Sequence, residues 1–317
     1  MTEKEKSPKE LTSAHASPRQ SPGALSSRVQ LYFGDASAAE ARVYAELDGI
    51  GDGPPLQLTG SVSGPRCEYA RTLKASVPLN ELPSRSGLLA EAIVPDPCFW
   101  TSDLPFLYDA RLELRQGGKV VGSDAQSLGI RPLGVRGRRV VFDGRVWVLR
   151  AVARSRVRET ELAVWRSAAT AMFVDDPSEE LCREASRLGV LLVAQFSGDS
   201  APLLEKLDRL ARWPAVLMAV LPSDISTSTD LRAVARNLLL AAHFCDMPAK
   251  SPPAWAHAAV CEAVDINQVV RLATGCPLPV IVLRPAASQA TVRHARAECD
   301  LLQRELASRG DFAGYIV

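Results

Sequence analysis

Asp224 is the carboxylate whose sequence setting most invites chemistry. It follows the apolar run from Trp213 to Leu221 and the breakers Pro222 and Ser223. A continuous Val/Leu/Met run bounded by breakers is the signature of a strand covered on both faces. An acid just past the C-terminal end of such a strand lies where α/β barrels keep their reacting groups. The competing reading is local: Ser223 and Asp224, followed by Ser226 and Thr227, suit a turn or a helix cap. Asp175 and Asp176 close another apolar stretch but run into Pro177, which reads as a turn entering a helix. Gln195 ends a third stretch, and Glu262 and Asp265 stand near a weaker one. An inverting pair could be assembled from these carboxylates, although nothing in their spacing requires it. His243, His257 and His294 are far apart and form no His-x-x-x-His pair, so each reads as a core or helix-surface residue. No GxSxG, P-loop or GxGxxG motif is present. No metal site and no cofactor is expected.

The elements that must hold these residues fall into three zones. Residues 1–27 are rich in Ser, Pro and charge and predict a disordered tail. Residues 28–135 alternate with period two, in segments such as Val29–Phe33, Ala41–Leu47, Leu88–Val94 and Tyr108–Leu114. Turns such as Gly64-Pro65 and Gly117-Gly118 separate them, so an antiparallel β-sandwich is predicted. From residue 136 the pattern changes. A hairpin at Val140–Val146 turns on Asp143-Gly144, and strands then alternate with helices. Ser178 is a plausible cap for a helix carrying Leu181, Ala185 and Leu188 on one face. Helices are also expected at about Pro202–Arg212, Thr229–His243 and through Val292–Leu306. Strands are read near 146–153, 169–174, 189–196, 214–221, 256–264, 266–270, 278–284 and 312–317. Such alternation means a parallel sheet, most simply a closed barrel, trimmed to about 180 residues where ~200–250 is usual.

Composition narrows the function classes. Thirty-seven basic and 36 acidic residues nearly cancel among 317, so there is no electrostatic case for nucleic acid or an anionic membrane. Seven scattered cysteines without a CxxC pair read as reduced thiols. The first 26 residues carry no apolar signal region, and no run approaches the ~20 residues of a membrane helix. A cytoplasmic protein is the resulting expectation. Aromatics are only 6% of the chain, which argues against a rich aromatic sugar platform. Trp100, Trp147, Trp165, Trp213 and Trp255 could each stack on a sugar, but Trp100 and Trp147 fit core or interdomain packing better.

Several local words resemble glycoside hydrolase family 2, the β-galactosidase and β-glucuronidase family. Phe99–Tyr108 is similar to that family's sandwich motif of Trp, a polar turn, Pro and Leu-Tyr. Leu128-Gly-Ile-Arg131 resembles its exit from the sandwich, and Val140–Val152 resembles the segment opening its barrel. Asp176-Pro177 through Val193, and Gly314–Val317, resemble its segment ending in Gly-Leu-Leu-Val and its eighth strand. The words span residues 28–317 in order, and the sandwich-to-barrel junction is the most specific of them. The resemblance implies an immunoglobulin-like β-sandwich (28–135) followed by a trimmed (β/α)8 TIM barrel (136–317), in a diverged member lacking the N-terminal sugar-binding domain. Active members hydrolyse β-glycosides with retention.

Retention needs one carboxyl as acid/base and a second as nucleophile, about 5–5.5 Å apart. Under the resemblance, the family's Asn-Glu at the end of the fourth strand falls on Ser223-Asp224. Asp is one methylene shorter, and a misplacement of about 1 Å can cost about 100-fold. Ser223 also lacks the amide that would hold a sugar 2-hydroxyl. The nucleophile position, ending Pro279–Arg284, falls on Arg284. A guanidinium stays protonated and cannot form a glycosyl ester. It is expected either to pair with Asp224 across the old site or to be a surface-loop charge. Under the resemblance, Asp175 follows the second strand, near which the family's substrate contacts lie, and Gln195 ends the third, where acidic residues are common in the family; with Ser223 they are the candidate substrate contacts. The expectation is a catalytically inactive relative with a carbohydrate-binding or scaffolding role. The alternative is an active O-glycosyl hydrolase with Asp224 as acid/base and a relocated second carboxylate. Carbohydrate is the expected partner, with no nucleic acid or membrane; a purely structural interaction module, using edge strands of the sandwich, is a third reading.

Overall fold

The computed structural model describes residues 29–48, 55–84, 87–154, 161–196, 202–225, 227, 229–244, 251–262, 266–284 and 291–317. The expected tail lies outside them. Seven strands, Val29–Ala36 (β1), Glu40–Asp48 (β2), Leu56–Arg66 (β3), Ala75–Leu82 (β4), Gly87–Pro95 (β5), Leu107–Gln116 (β6) and Lys119–Leu128 (β7), form an antiparallel sheet. Its order is β1-β2-β5-β4-β3-β6-β7. The period-two pattern does what the pleat requires. Ala41, Val43, Ala45 and Leu47 of β2 turn into the core, joined by Leu58, Ala92, Ala110 and Leu112. The sheet curls on itself in a sandwich-like way, so that Gln126 of β7 donates to the Val29 carbonyl of β1 at 3.2 Å. A small sheet follows, made of Leu133–Arg136 (β8), Arg139–Phe142 (β9) and Arg145–Val146 (β10). Asp143 and Gly144 take φ of 50° and 71° at its turn, the paired positive angles of the expected type I′ hairpin.

Eight parallel strands then close a barrel. They are Leu149–Arg154 (β11), Ala171–Asp175 (β12), Leu192–Gln195 (β13), Val216–Pro222 (β14), Leu239–Phe244 (β15), Ala258–Glu262 (β16), Val280–Leu283 (β17) and Gly314–Ile316 (β18). The helices are Leu162–Ser167 (α1), Glu179–Leu188 (α2), Leu203–Ala211 (α3), Leu231–Val234 (α4), Ile266–Gly275 (α5) and Val292–Leu306 (α6). Ser178 caps α2 as expected, its hydroxyl accepting from Leu181 N–H at 3.1 Å, and Gly189 ends that helix in the left-handed region.

Two expected elements differ. The helix read over Thr229–His243 is one turn, α4, followed by β15. Leu231, Val234, Leu238 and Ala242 do have helical spacing, but Asn237 at φ 61° breaks the helix. The unbroken run Leu238–Ala242 is then consumed as a strand buried on both faces, which the closing sheet needs. The strand read near 266–270 is the first half of α5, and the segment read as the fifth strand is the sixth, β16.

The sheet and barrel are tied at the N-terminal end of the barrel strands. Trp100 is fully buried and its indole N–H donates to the Ser186 carbonyl of α2 at 2.8 Å. Arg131, only 3% exposed, leaves the sheet and inserts its guanidinium beneath β14 and β15. Its Nη1 donates to the carbonyls of Pro214 and of Val216 (2.9 Å), and its Nη2 to that of Asn237 at 2.6 Å. Burial with no carboxylate beside it pushes this guanidinium down to about 9, so it is still charged at neutral pH. None of the six described cysteines is disulfide-bonded. Among the described residues no helix is long and apolar enough to cross a membrane.

Candidate functional site

Strand pairing fixes which side chains point into the barrel. Arg150 of β11 reaches Asp300 (3.1 Å) and Gln303 (2.6 Å) of α6, which packs outside the barrel, so Arg150 faces outward. Because side chains alternate along a strand, Leu149, Ala151 and Ala153 face inward. Residues paired across neighbouring parallel strands share a face. From Ala151 the pairing runs to Ala171, placing Phe173 and Asp175 inside, then from Asp175 to Gln195 and on to Val220. It continues from Val220 to Ala241, placing His243 inside, then to Val260 and hence Glu262. Glu262 pairs with Leu283, Leu283 with Ile316, and Ile316 with Ala151, so the circuit closes on the face it started from. Among the described residues, the inner wall at the C-terminal mouth therefore carries four polar side chains: Asp175, Gln195, His243 and Glu262.

His243 and Glu262 end adjacent strands, and Nε2 of His243 lies 3.3 Å from Oε1 of Glu262. Their side chains are 15% and 35% exposed, so the imidazole is sunk in the wall and the carboxylate opens toward the mouth. The contact is a close approach and not an aligned hydrogen bond, because that Nε2 is buried without a hydrogen-bond partner. Either side chain can anchor a ligand hydroxyl. Asp175 is exposed and Gln195 half-buried on the wall formed by β12 and β13. In an eight-stranded ring the second and sixth strands face each other, so Asp175 and Glu262 flank the mouth from opposite sides.

The two positions expected to carry hydrolysis lie elsewhere. Asp224 is exposed in the turn after β14, closed by Ile225 N–H donating to the Pro222 carbonyl at 3.4 Å. Among the described residues its carboxylate has no hydrogen-bond or ion-pair partner. Ser223 is half-buried beside it; Ser226 lies outside the described residues. Arg284 follows the inward Leu283, so alternation turns it outward. Its guanidinium pairs with Glu305 of α6 at 3.0 Å, the two side chains being 38% and 40% exposed. Its backbone N–H extends the sheet by donating to the Ile316 carbonyl at 2.8 Å. The expected pair with Asp224 is therefore not formed: one step of strand parity separates Arg284 from the mouth. Asp176 is likewise drawn off the mouth, onto Lys206 (2.6 Å) and Arg209 (3.1 Å) of α3. Asp265 lies outside the described residues.

His257 is structural. Its Nδ1 accepts from the Leu240 N–H at 3.0 Å, and burial, aided by the charge of Arg232, pushes the imidazole down to about 4. Sequence reasoning missed the His243–Glu262 pair by treating the two as unrelated. A usable signal was present: Asp175, Gln195, His243 and Glu262 are each the first polar or charged residue after a buried apolar run, the same signature that drew attention to Asp224. Among the described residues no three His, Cys, Asp or Glu side chains cluster as a metal would require.

No protein-family model matches the chain, and no curated protein sequence is similar to it. Solved structures do match. A Bifidobacterium dentium β-glucuronidase complexed with coumarin-3-O-glucuronide is similar at a TM-score of 0.63 and 12% identity, over 91% of this chain and 59% of that one. A glycosyl hydrolase family 2 member from Bacteroides cellulosilyticus DSM 14838 matches at 0.63 and 14%, over 92% and 45%. A Parabacteroides merdae β-glucuronidase matches at 0.60 and 13%, over 91% and 46%. The chain spans about half the length of the solved proteins it resembles. At this level of identity the likeness is one of fold: a sandwich-like antiparallel sheet followed by a closed parallel barrel, as in glycoside hydrolase family 2 proteins.

Proposed function

We propose that this chain is a glycosidase-like protein that binds a carbohydrate at the barrel mouth and does not hydrolyse it. The observation that carries the reading is the outward turn of Arg284 onto Glu305, with Asp224 left in a solvent-facing turn. Neither the fourth nor the seventh strand then offers a carboxyl to the interior, and double displacement has no nucleophile. A glucuronide held by a protein of the same fold supports a sugar as occupant. Asp175, Gln195 and Glu262 would accept from or donate to its hydroxyls. In this reading residues 28–135 form an immunoglobulin-like sandwich that serves residues 136–317 as a rigid support.

A second reading is favoured by one feature. Glu262 opens to the mouth beside His243 and faces Asp175, so a relocated second carboxylate could serve an active O-glycosyl hydrolase with Asp224 as acid/base. Chromogenic 4-nitrophenyl β-glucuronide, β-galactoside and β-mannoside separate the two. The expected result is release no faster than without protein, together with saturable shifts of the His243 imidazole resonances on titration with a methyl β-glycoside. Turnover that disappears in Asp224→Asn or Glu262→Gln would establish the hydrolase instead. Silence of the His243 resonances toward all three sugar classes would remove the binding reading as well.

A further inference from the structure

Trp255 was noted in the sequence and has no part in the mouth. It lines a cleft of about 500 Å³ on the barrel flank with Ile225, Thr227, Thr229, Asp230 and Arg232. That volume is within the range of about 300–1,000 Å³ that suits a small ligand. Among the described residues the helical cover is thin beside the cleft. After β14 the chain supplies only the single turn α4, and among the described residues no helix stands between β15 and β16. The outward faces of those strands are covered instead by the stretch leading into β16, where Trp255 packs on the barrel core.

The lining selects a ligand class. The indole N–H of Trp255 is buried with no acceptor among the described residues, so what the ring offers the cleft is carbon surface and not its polar edge. Arg232 is partly engaged, its Nε and Nη2 donating to the carbonyls of Trp255 and Ala256, each at 3.0 Å, and its charge is offset in the lining by that of Asp230. Asp230 accepts from the Arg232 N–H at 2.9 Å and still presents an exposed carboxylate, an acceptor that repels anions. Thr227 and Thr229 add exposed neutral hydroxyls, that of Thr227 already accepting from Thr229 N–H at 3.1 Å. With one cation and one anion the lining has no net charge, so a ligand that matches carries an apolar face for the indole and several hydroxyls and needs no charge of its own.

The geometry points to a second binding site, on the barrel flank, for a neutral saccharide stacked on Trp255, with hydroxyls met by Asp230, Thr227 and Thr229. The site is independent of the mouth and of whether the mouth binds anything. The test uses the full chain with its tryptophan indoles labelled for NMR, the Trp255 signal being assigned by its loss in Trp255→Phe. Titration with cellobiose and with maltotriose should move that signal saturably, in the millimolar range or tighter. By calorimetry, Trp255→Ala should bind about tenfold more weakly, the worth of one stacked aromatic, while Trp255→Phe keeps most of the affinity. Asp230→Asn should weaken the neutral sugars no more than severalfold and relax the discrimination against glucuronic acid. A Trp255 signal unmoved by either sugar overturns the site, as does equal affinity in Trp255→Ala. A response to tetramethylammonium in place of the sugars overturns the ligand class.

Discussion

Arg131 offers the sharpest test of how the sheet and barrel hold together. It is an unpaired buried cation, and two opposite outcomes can be argued for replacing it with Met. If the charge is a net burden, removing it relieves a desolvation cost of several kcal/mol, and the variant is neutral or more stable. The contacts argue otherwise. The guanidinium reaches three carbonyls, those of Pro214, Val216 and Asn237, at the start of β14 and just before β15. Hydrogen bonds from a charged donor are worth roughly 1.5–3 kcal/mol each, and each buried acceptor left without a donor costs about 1–3 kcal/mol. Setting that loss against the relief of the charge gives an expected net destabilisation of about 3–4 kcal/mol. Arg131→Lys should do no better, since one ammonium keeps the charge but cannot fork across all three acceptors. The assay is urea unfolding followed by far-ultraviolet circular dichroism and by tryptophan fluorescence, with Arg139→Met as an exposed control. Arg139 pairs with Asp311 with both side chains 58% exposed, so its loss should change stability by no more than about 0.5 kcal/mol. Because Arg131 links two bodies, its Met variant should also separate the two probes into distinct transitions. A Met variant within about 1 kcal/mol of the parent, unfolding in a single step, would falsify the view that these carbonyls depend on the guanidinium.

Two further outcomes follow from the geometry. His257 is neutral in the fold down to about pH 4, while the unfolded chain takes up its proton near the ordinary 6.5. Between those values the unfolded state binds more protons, so stability falls as pH drops through that window and is unaffected by this group above it. After discounting for the ring's partial exposure the loss should be about 1–2 kcal/mol, and His257→Gln should flatten it; equal losses at pH 4.5 in both proteins would reject the assignment. Arg284→Glu restores a carboxylate to the expected nucleophile position but directs it at Glu305, outside the barrel. It should gain no β-glycosidase activity and lose up to about 1 kcal/mol, whereas any turnover would mean that residue 284 faces the mouth.

What could be read from the sequence depended on whether one physical signal acted alone. The strands of the antiparallel sheet obey a single rule, alternation, and Ala41–Leu47 and Tyr108–Leu114 form as that pattern indicates. The hairpin at Asp143-Gly144 and the cap at Ser178 were equally local. The segment around Leu238 carried two periodicities at once, helical spacing and a continuous apolar run, and only the need to close the barrel decides between them. The site was harder still. That the fourth and seventh strands end near Asp224 and Arg284 was legible, but the direction of a side chain turns on a single residue of register. Sequence spacing cannot show that Leu283, and not Arg284, faces the interior; the pairing of Glu262 with Leu283 does. For the same reason His243 and Glu262, nineteen positions apart as numbered, met only once β15 and β16 were seen to be neighbours.

The thin helical cover explains why the sheet and barrel need each other. Around β14 and β15 the barrel has α3 and one turn of α4, where a fuller barrel would have two helices. The edge strand β1 supplies part of the missing cover. Phe33 and Asn237 exchange two hydrogen bonds, Phe33 N–H to Oδ1 at 2.9 Å and Nδ2 to the Phe33 carbonyl at 2.7 Å. Gln30 reaches the Val234 carbonyl at 2.8 Å and Asp208 at 3.2 Å, and Arg236 spans to Glu46 at 2.8 Å while lying over the Tyr32 ring. These contacts mimic a strand pairing onto Asn237, the residue whose positive φ ends α4. The backbone break that makes β15 possible is thus the point at which the sheet grips the barrel, and Arg131 holds the same residue by its carbonyl from below. Cover is thus restored on the β14–β15 side. Between β15 and β16 the described residues offer Trp255, beside which the flank cleft opens.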